Sequence, residues 1–256
     1  MGTTTVRQSD NLYRGLFEPR SVTLRAADDA PAGAVMAGRF AVFNEFTEID
    51  SWFEGRFLEK VDRGSFTKTL DDLSNVRVQY DHGYDTHIGS APLGPPSLVT
   101  EDKSGVYYEV PLLDTDYNRD RILPLLEGRL MDGTVTGESL LGASFRFRVI
   151  RDDWDDEPGM SDNNPDGLPE RTIKEVRLYE FGPVVFGAYP SATSGLRSLT
   201  DHYLDKSRSR NLGAAADPGT APKPATPPTE APGEPKGRPT VAAARTTIAA
   251  IGGKEK

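Results

Sequence analysis

The sequence contains no cysteine and only three histidines among its 256 residues. The absence of cysteine excludes disulfide bonds and thiolate chemistry, and it is typical of an intracellular protein. No run of apolar residues approaches the ~20 that a membrane-spanning helix needs. The first residues, 1–5, lack the basic start and apolar middle of a signal peptide. We therefore expect neither a thiol nucleophile nor a membrane partner.

Apolar residues are also scarce, and charge is unevenly distributed. Hydrophobic residues make up 36% of the chain and the mean hydropathy is −0.51, which is low for a chain that folds throughout. The formal net charge is −9, although residues 207–256 contain 8 Lys and Arg against 4 Asp and Glu. An acidic body argues against nucleic acid as the main partner, because phosphate binding needs a positive surface. The basic tail either contacts an acidic protein or stays solvated.

Strand patterns dominate the middle of the chain. Residues 76–80 and 143–150 alternate apolar and polar side chains, as half-buried strands do, whereas residues 118–131 have near-helical spacing. This pattern predicts a mainly β domain with flanking helices, barrel-like or α+β, over residues 21–206. Residues 1–20 are predicted to be loosely ordered. Residues 207–256, rich in Ala, Pro, Thr and Gly, are predicted to be a disordered tail.

Two residues could carry nucleophilic chemistry. In a chain without cysteine, a hydrolase of this kind needs a hydroxyl activated by a histidine. Ser144 stands at the head of an alternating strand, where the small residues Gly142 and Ala143 would leave room for a substrate carbonyl. His82 follows a strand and precedes a glycine, at the kind of strand end from which catalytic side chains commonly project. The alternatives are an ordinary strand serine and a surface histidine in a turn.

A carboxylate and a possible metal cluster complete the candidates. Glu180 lies in an apolar strand segment, where a charge is costly to bury unless it is paired. It either orients His82 or forms a salt bridge with an arginine. Asp81, His82, Asp85 and His87 are close in sequence, but histidines five residues apart do not share a face, and no remote His or Cys completes a metal set. We therefore expect no metal and no other cofactor.

Taken in order, several segments resemble the prohead (procapsid maturation) serine proteases of tailed phages. The resemblance covers roughly residues 20–195. The chain departs from the family pattern in having Gly83 after the histidine, where an acidic residue is more common, and Asp81 before it. The segments that carry the resemblance are Gly-Arg-Phe-Ala-Val-Phe-Asn at 38–44, Gly-Ser-Phe at 64–66, the His82 turn with Ile-Gly at 88–89, Gly-Ala-Ser-Phe-Arg-Phe at 142–147, and Glu-Phe-Gly-Pro-Val-Val-Phe-Gly-Ala-Tyr-Pro at 180–190.

The resemblance implies a herpesvirus-protease-like β-barrel, with Ser144 as nucleophile, His82 as general base and Glu180 as the third member. It implies a serine endopeptidase that cleaves scaffold protein, or the scaffold-like region of the major capsid protein, inside the assembling procapsid in the host cytoplasm. Self-cleavage and self-association are further options, and the tail is either a tether or a self-cleavage product. The alternative function is a non-catalytic capsid-assembly or scaffold protein on the same fold.

Overall fold

The computed structural model describes residues 10–17, 21–26, 33–185 and 196–215. In these residues the strands are β1 (Leu12–Leu16), β2 (Val22–Ala26), β3 (Ala34–Val42), β4 (Thr47–Ser51), β5 (Gly55–Val61), β6 (Arg77–Val78), β7 (Leu98–Glu101), β8 (Gly105–Pro111), β9 (Leu141–Asp155), β10 (Glu170–Val185) and β11 (Leu196–Ser198). The α-helices are α1 (Thr67–Leu70), α2 (Leu123–Glu127) and α3 (Thr200–Ala215). A 3-10 turn covers Tyr80–Gly83, and a π-helical turn covers Asn118–Ile122. No helix of this part of the chain has the length and apolar character to cross a membrane.

The strands form two sheets. The larger sheet has the order β11-β1-β9-β10-β5-β4, and the short β6 pairs with β10. The smaller sheet has the order β2-β3-β8-β7. Neighbouring strands are antiparallel, apart from β10 with β5 and β6, which run parallel. Because the edge strands β11 and β4 approach each other, the larger sheet is a nearly closed barrel. The predicted mainly β fold with a barrel and few helices is confirmed.

Alternation along β9 explains how the central strand is oriented. Phe145, Phe147 and Val149 are buried, whereas Arg146 is half-buried and Arg148 is exposed between them. Side chains two residues apart share a face of a strand, so the phenylalanines point into the barrel. The strand continues to Asp155, beyond the alternating pattern that identified it.

The core joins the two sheets through aromatic side chains. The ring of Phe40 on β3 lies 5.3 Å from that of Phe145 on β9 and 4.9 Å from that of Phe181 on β10, measured between centroids. Phe66, just before α1, lies 5.7 Å from both Phe40 and Phe145. Each ring is completely buried, and the burial of each contributes about 1.5–3 kcal/mol. This cluster fixes β9 and β10, the strands that carry Ser144 and Glu180.

A buried ion-pair network anchors β1 beside β9. The side chain of Arg14 has no exposed surface and binds Glu54 at 2.6 Å and Glu59 at 2.7 Å. Glu59 also lies 3.3 Å from the guanidinium of Arg171, on β10. Burial alone would lower the pKa of Arg14, but attraction to Glu54 and Glu59 outweighs it and raises that pKa. Removing one member of such a network strands a buried charge and typically costs about 3–5 kcal/mol.

The position of β1 corrects the prediction that residues 1–20 are loosely ordered. Residues 12–16 form a fully buried strand between β9 and β11. The sequence pattern did not reveal this strand because an arginine and a glycine interrupt the apolar pattern of its five residues. The acidic partners that make burial of the arginine possible lie some forty residues further along the chain. Residues 1–9 and 18–20 lie outside the described residues.

Helix α3 corrects the predicted boundary between residues 206 and 207. The helix continues to Ala215. Two arginines after the predicted boundary contact the body: the guanidinium of Arg208 lies 4.5 Å from the ring centroid of Trp52, and Arg210 donates a hydrogen bond of 3.4 Å to the carbonyl of Gly83. Arginine and alanine favour helix, whereas the composition of the whole tail obscured this short helical piece. Residues 216–256 lie outside the described residues.

Candidate active site

Ser144 lies on β9, between β1 and β10. It is paired with Gly15 on β1 and with Gly182 on β10. Directly paired residues of antiparallel strands point to the same face, so the hydroxyl stands on the outer face of the barrel, opposite Phe145, beside two positions without side chains. Ser144 nevertheless has no exposed surface. Other groups therefore cover the hydroxyl.

The ring of Phe17 lies over the glycines that flank Ser144 on the same face of the sheet. A Cβ atom added to Gly142 would lie 2.2 Å from Cδ1 of Phe17, and one added to Gly15 would lie 2.7 Å from its Cε2. The ring thus fills the space that the sequence interpretation assigned to a substrate carbonyl. Ala143, the other small neighbour, is completely buried and points to the core face.

His82 lies in the turn that follows β6, as the sequence predicted. Its backbone is left-handed, with φ 53° and ψ 28°, and so is that of Asp81, with φ 46° and ψ 37°. Gly83 continues the same hand with φ 76°. The left-handed conformation costs a residue with a Cβ atom about 1–2 kcal/mol, so the surrounding structure must hold this turn in place.

Close packing against β10 is part of what holds the turn. The backbone of Gln79, just before the turn, crosses β10 at Gly182. A Cβ atom added to Gly182 would lie 1.9 Å from the carbonyl oxygen of Gln79. Only glycine permits this approach, and it brings the turn directly over the strand that carries Glu180.

Gly182→Ala is therefore expected to lower the free energy of unfolding by about 1–3 kcal/mol, the usual cost of forcing a methyl group into a filled space. Urea denaturation measures this loss. Gly159→Ala is the matched control, because an added Cβ there meets nothing within 4 Å. Equal stability of the two variants would contradict the close approach.

The structure brings the three predicted site residues together. Nε2 of His82 lies 2.7 Å from Oγ of Ser144. Nδ1 of His82 faces the carboxylate of Glu180, at 2.8 Å from Oε1 and 2.9 Å from Oε2. The side chains of His82 and Glu180 are only 1% and 2% exposed. When Nδ1–H donates to this carboxylate, the lone pair of Nε2 faces the hydroxyl, which is the arrangement that a general base needs.

The hydroxyl of Ser144 has a second acceptor within reach. Its Oγ lies 2.9 Å from the carbonyl oxygen of Arg14 on β1. A hydroxyl has a single proton to donate, so Nε2 of His82 and this carbonyl compete for it. Rotation about the Cβ–Oγ bond of Ser144 selects between the two acceptors.

Two tyrosines enclose the imidazole. The ring of Tyr203 on α3 packs edge-on against that of His82 with centroids 4.4 Å apart, and the ring of Tyr13 does so at 4.9 Å. Burial, reinforced by the charge of Asp81, raises the pKa of Tyr203, so its hydroxyl stays protonated. Arg146 also approaches the site, with Nε 3.9 Å from Oε2 of Glu180. The sequence pattern gave no indication that Tyr203 belongs to the site.

His87 lies apart from this group. Its side chain is 64% exposed, and its Nδ1 is 4.0 Å from a carboxylate oxygen of Asp85. Asp81, the acidic residue within the turn itself, binds Tyr203 and Lys206 on α3. Among the described residues, no three His, Cys, Asp or Glu side chains are grouped as a metal site would require. The residues that are close to His82 in sequence therefore lie in two environments: Asp81 contacts α3, whereas His87 is exposed to solvent.

Comparisons with known proteins concern most of the chain. Residues 20–205 match the sequence model of the caudovirus prohead serine proteases. No curated protein matches the chain significantly in sequence. Among solved structures, that of the bacteriophage T4 capsid assembly protease, gp21, matches with 11% sequence identity and a TM-score of 0.37, over 69% of this chain and 96% of the T4 chain. The matched range 20–205 contains Ser144, His82 and Glu180.

Proposed function

Because the chain belongs to the caudovirus prohead serine protease family, we propose that it cleaves peptide bonds with Ser144 as nucleophile, His82 as general base and Glu180 as the carboxylate that orients His82. The observation that carries this proposal is the continuous line of contacts from Oγ of Ser144 through both ring nitrogens of His82 to Glu180. Nucleophile, base and orienting group within hydrogen-bond reach are what serine catalysis requires.

The reaction proceeds in two halves. Oγ of Ser144 attacks the carbonyl carbon of the scissile bond while its proton passes to Nε2 of His82. The carbon–nitrogen bond then breaks, the leaving amine takes that proton, and the acyl group remains on Ser144 as an ester. Water attacks the ester, gives a proton to Nε2 and releases the new carboxyl terminus, and the proton returns to Ser144. Glu180 stabilises the imidazolium formed in both halves.

Family membership makes the chain a serine protease of phage capsid maturation, which acts within the assembling procapsid of the host cell and meets procapsid components there. We propose that the substrate is scaffold protein or the scaffold-like region of the major capsid protein, with the chain itself as a further substrate. Co-expression with the capsid and scaffold proteins of the same phage tests this, because intact mass reveals each shortened product. Shells that assemble with every protein at full length would favour the alternative, a non-catalytic assembly protein.

Glu180→Gln is expected to reduce the cleavage rate by about 10²- to 10⁴-fold, because a neutral amide neither fixes the tautomer of His82 nor stabilises its charged form. The rate is measured on purified substrate by intact mass. Glu175→Gln on the same strand is the matched control, since Glu175 binds the exposed Lys68, remote from His82. Wild-type cleavage by Glu180→Gln would remove the carboxylate from the mechanism.

A further inference from the structure

The turn that carries His82 is bound to α3 through Asp81. The hydroxyl of Tyr203 donates to Oδ1 of Asp81 at 2.8 Å, and Nζ of Lys206 donates to Oδ2 at 2.7 Å. Arg210 reaches the same turn at the carbonyl of Gly83. These three helix residues lie three and seven positions apart, so they share one face of α3. One face of α3 therefore binds the turn at two residues, Asp81 and Gly83.

This binding acts on a backbone that is unfavourable by itself. Asp81 and His82 both have left-handed dihedral angles and both carry a Cβ atom. Such a conformation persists only where surrounding contacts determine it. The carboxylate of Asp81 supplies two of those contacts, and its side chain is only 16% exposed. An ion pair shielded to this extent is worth more than an exposed one.

The same carboxylate also fixes the ring that packs on the imidazole. Tyr203 is 2% exposed, its hydroxyl is bound by Asp81, and its ring lies edge-on against His82. Nζ of Lys206 lies 5.2 Å from the centroid of that ring. Asp81 therefore constrains His82 from two sides, through the backbone of the turn and through the ring of Tyr203.

We propose that Asp81 is a positioning residue for His82 and that its bonds to Tyr203 and Lys206 hold the base at hydrogen-bond distance from Ser144. This inference rests on the proposed protease function and adds α3 to the machinery of the site. Asp81 contacts neither the hydroxyl of Ser144 nor the carboxylate of Glu180, so it acts through His82. Small displacements of a catalytic group slow the chemical step more than they weaken substrate binding.

The test compares kcat and KM for variants of the full chain, with the capsid and scaffold proteins of the same phage as substrates. Asp81→Asn is expected to lower kcat by about 10- to 100-fold and to leave KM unchanged. Rates are expressed per folded molecule, with the folded fraction taken from a thermal melt followed by circular dichroism. A purely structural role would lower the folded fraction and leave the normalised kcat unchanged, which would overturn the inference.

Further variants test the ion pair between Asp81 and Lys206. Lys206→Met is expected to slow kcat in the same direction, and Lys206→Arg to restore it, since arginine keeps the ion pair. The double variant Asp81→Asn with Lys206→Met is expected to be no slower than Asp81→Asn alone. Each single change already removes the same ion pair between Asp81 and Lys206. Asp205→Asn is the control, since Asp205 lies on the same helix with a 67% exposed side chain, and its kcat is expected to equal the wild-type value. Fully additive effects would show that the two residues act separately.

The inference and the proposed function fail in different ways. If Ser144→Ala and His82→Ala still cut the substrate, or if the wild-type chain cuts neither protein, the proposed function is wrong. If those two variants are inactive while Asp81→Asn retains the wild-type kcat, the function stands and the positioning role of Asp81 is wrong.

Discussion

Ser144→Ala is expected to yield shells that assemble but contain capsid and scaffold proteins at full length. Removing the nucleophile leaves only the residual catalysis of binding and oriented dipoles, so the cleavage rate should fall by about 10⁴- to 10⁶-fold. The fold should survive. The substitution removes one buried hydroxyl, and the carbonyl of Arg14 and Nε2 of His82 each lose a partner. The resulting loss of unfolding free energy is about 1–3 kcal/mol.

Two measurements accompany this variant. Intact mass of the shell proteins reports cleavage, and a urea denaturation curve reports stability. Ser97→Ala is a suitable control because Ser97 is an exposed serine just before β7 of the smaller sheet, and its hydroxyl donates to the carbonyl of Glu109. Normal processing by Ser144→Ala would end the assignment of the nucleophile.

His82→Ala is expected to be as damaging as Ser144→Ala. Nucleophile and base act as one unit, so the loss of either costs about as much as the loss of both, again about 10⁴- to 10⁶-fold. The double variant should therefore be no slower than either single variant. Purified proteins and a common substrate allow the three residual rates to be compared directly.

His87→Ala is the internal control for the histidine prediction. It changes the same residue type five positions along, but its side chain is largely exposed and contacts neither Ser144 nor Glu180. We expect cleavage at the wild-type rate. A more severe loss in His87→Ala than in His82→Ala would transfer the role of base to His87.

The sequence revealed the parts of the site that depend on local pattern. Residues 143–149 alternate apolar and polar side chains because one face of β9 packs into the core, and this alternation makes the strand that carries Ser144 recognisable. Glu180 was noticed because a carboxylate in an apolar strand needs a partner. That partner is His82, although Arg146 also lies nearby. The carboxylate of Glu180 therefore faces both groups that the sequence analysis considered, the histidine and an arginine.

Other parts of the site depend on contacts between distant residues, which a single sequence does not display. β1 contains a charge that only Glu54 and Glu59 make tolerable in the interior. The end of α3 resembles the tail in composition, and the contacts of the whole helix with the turn at Asp81 and Gly83 join residues more than 120 positions apart. Phe17 covers the hydroxyl face of β9 from outside the recognisable strands. In each case the local sequence pattern is weak, and tertiary contacts determine the structure that forms.

Covalent labelling identifies the nucleophilic serine. A small fluorophosphonate reacts with a serine whose proton a neighbouring base removes, and digestion followed by mass spectrometry locates the adduct. We expect an adduct on Ser144 in the wild-type chain, none in His82→Ala, and loss of substrate cleavage in proportion to labelling. An adduct confined to another serine, or cleavage that continues at full rate after Ser144 is completely labelled, would show that Ser144 is not the nucleophile.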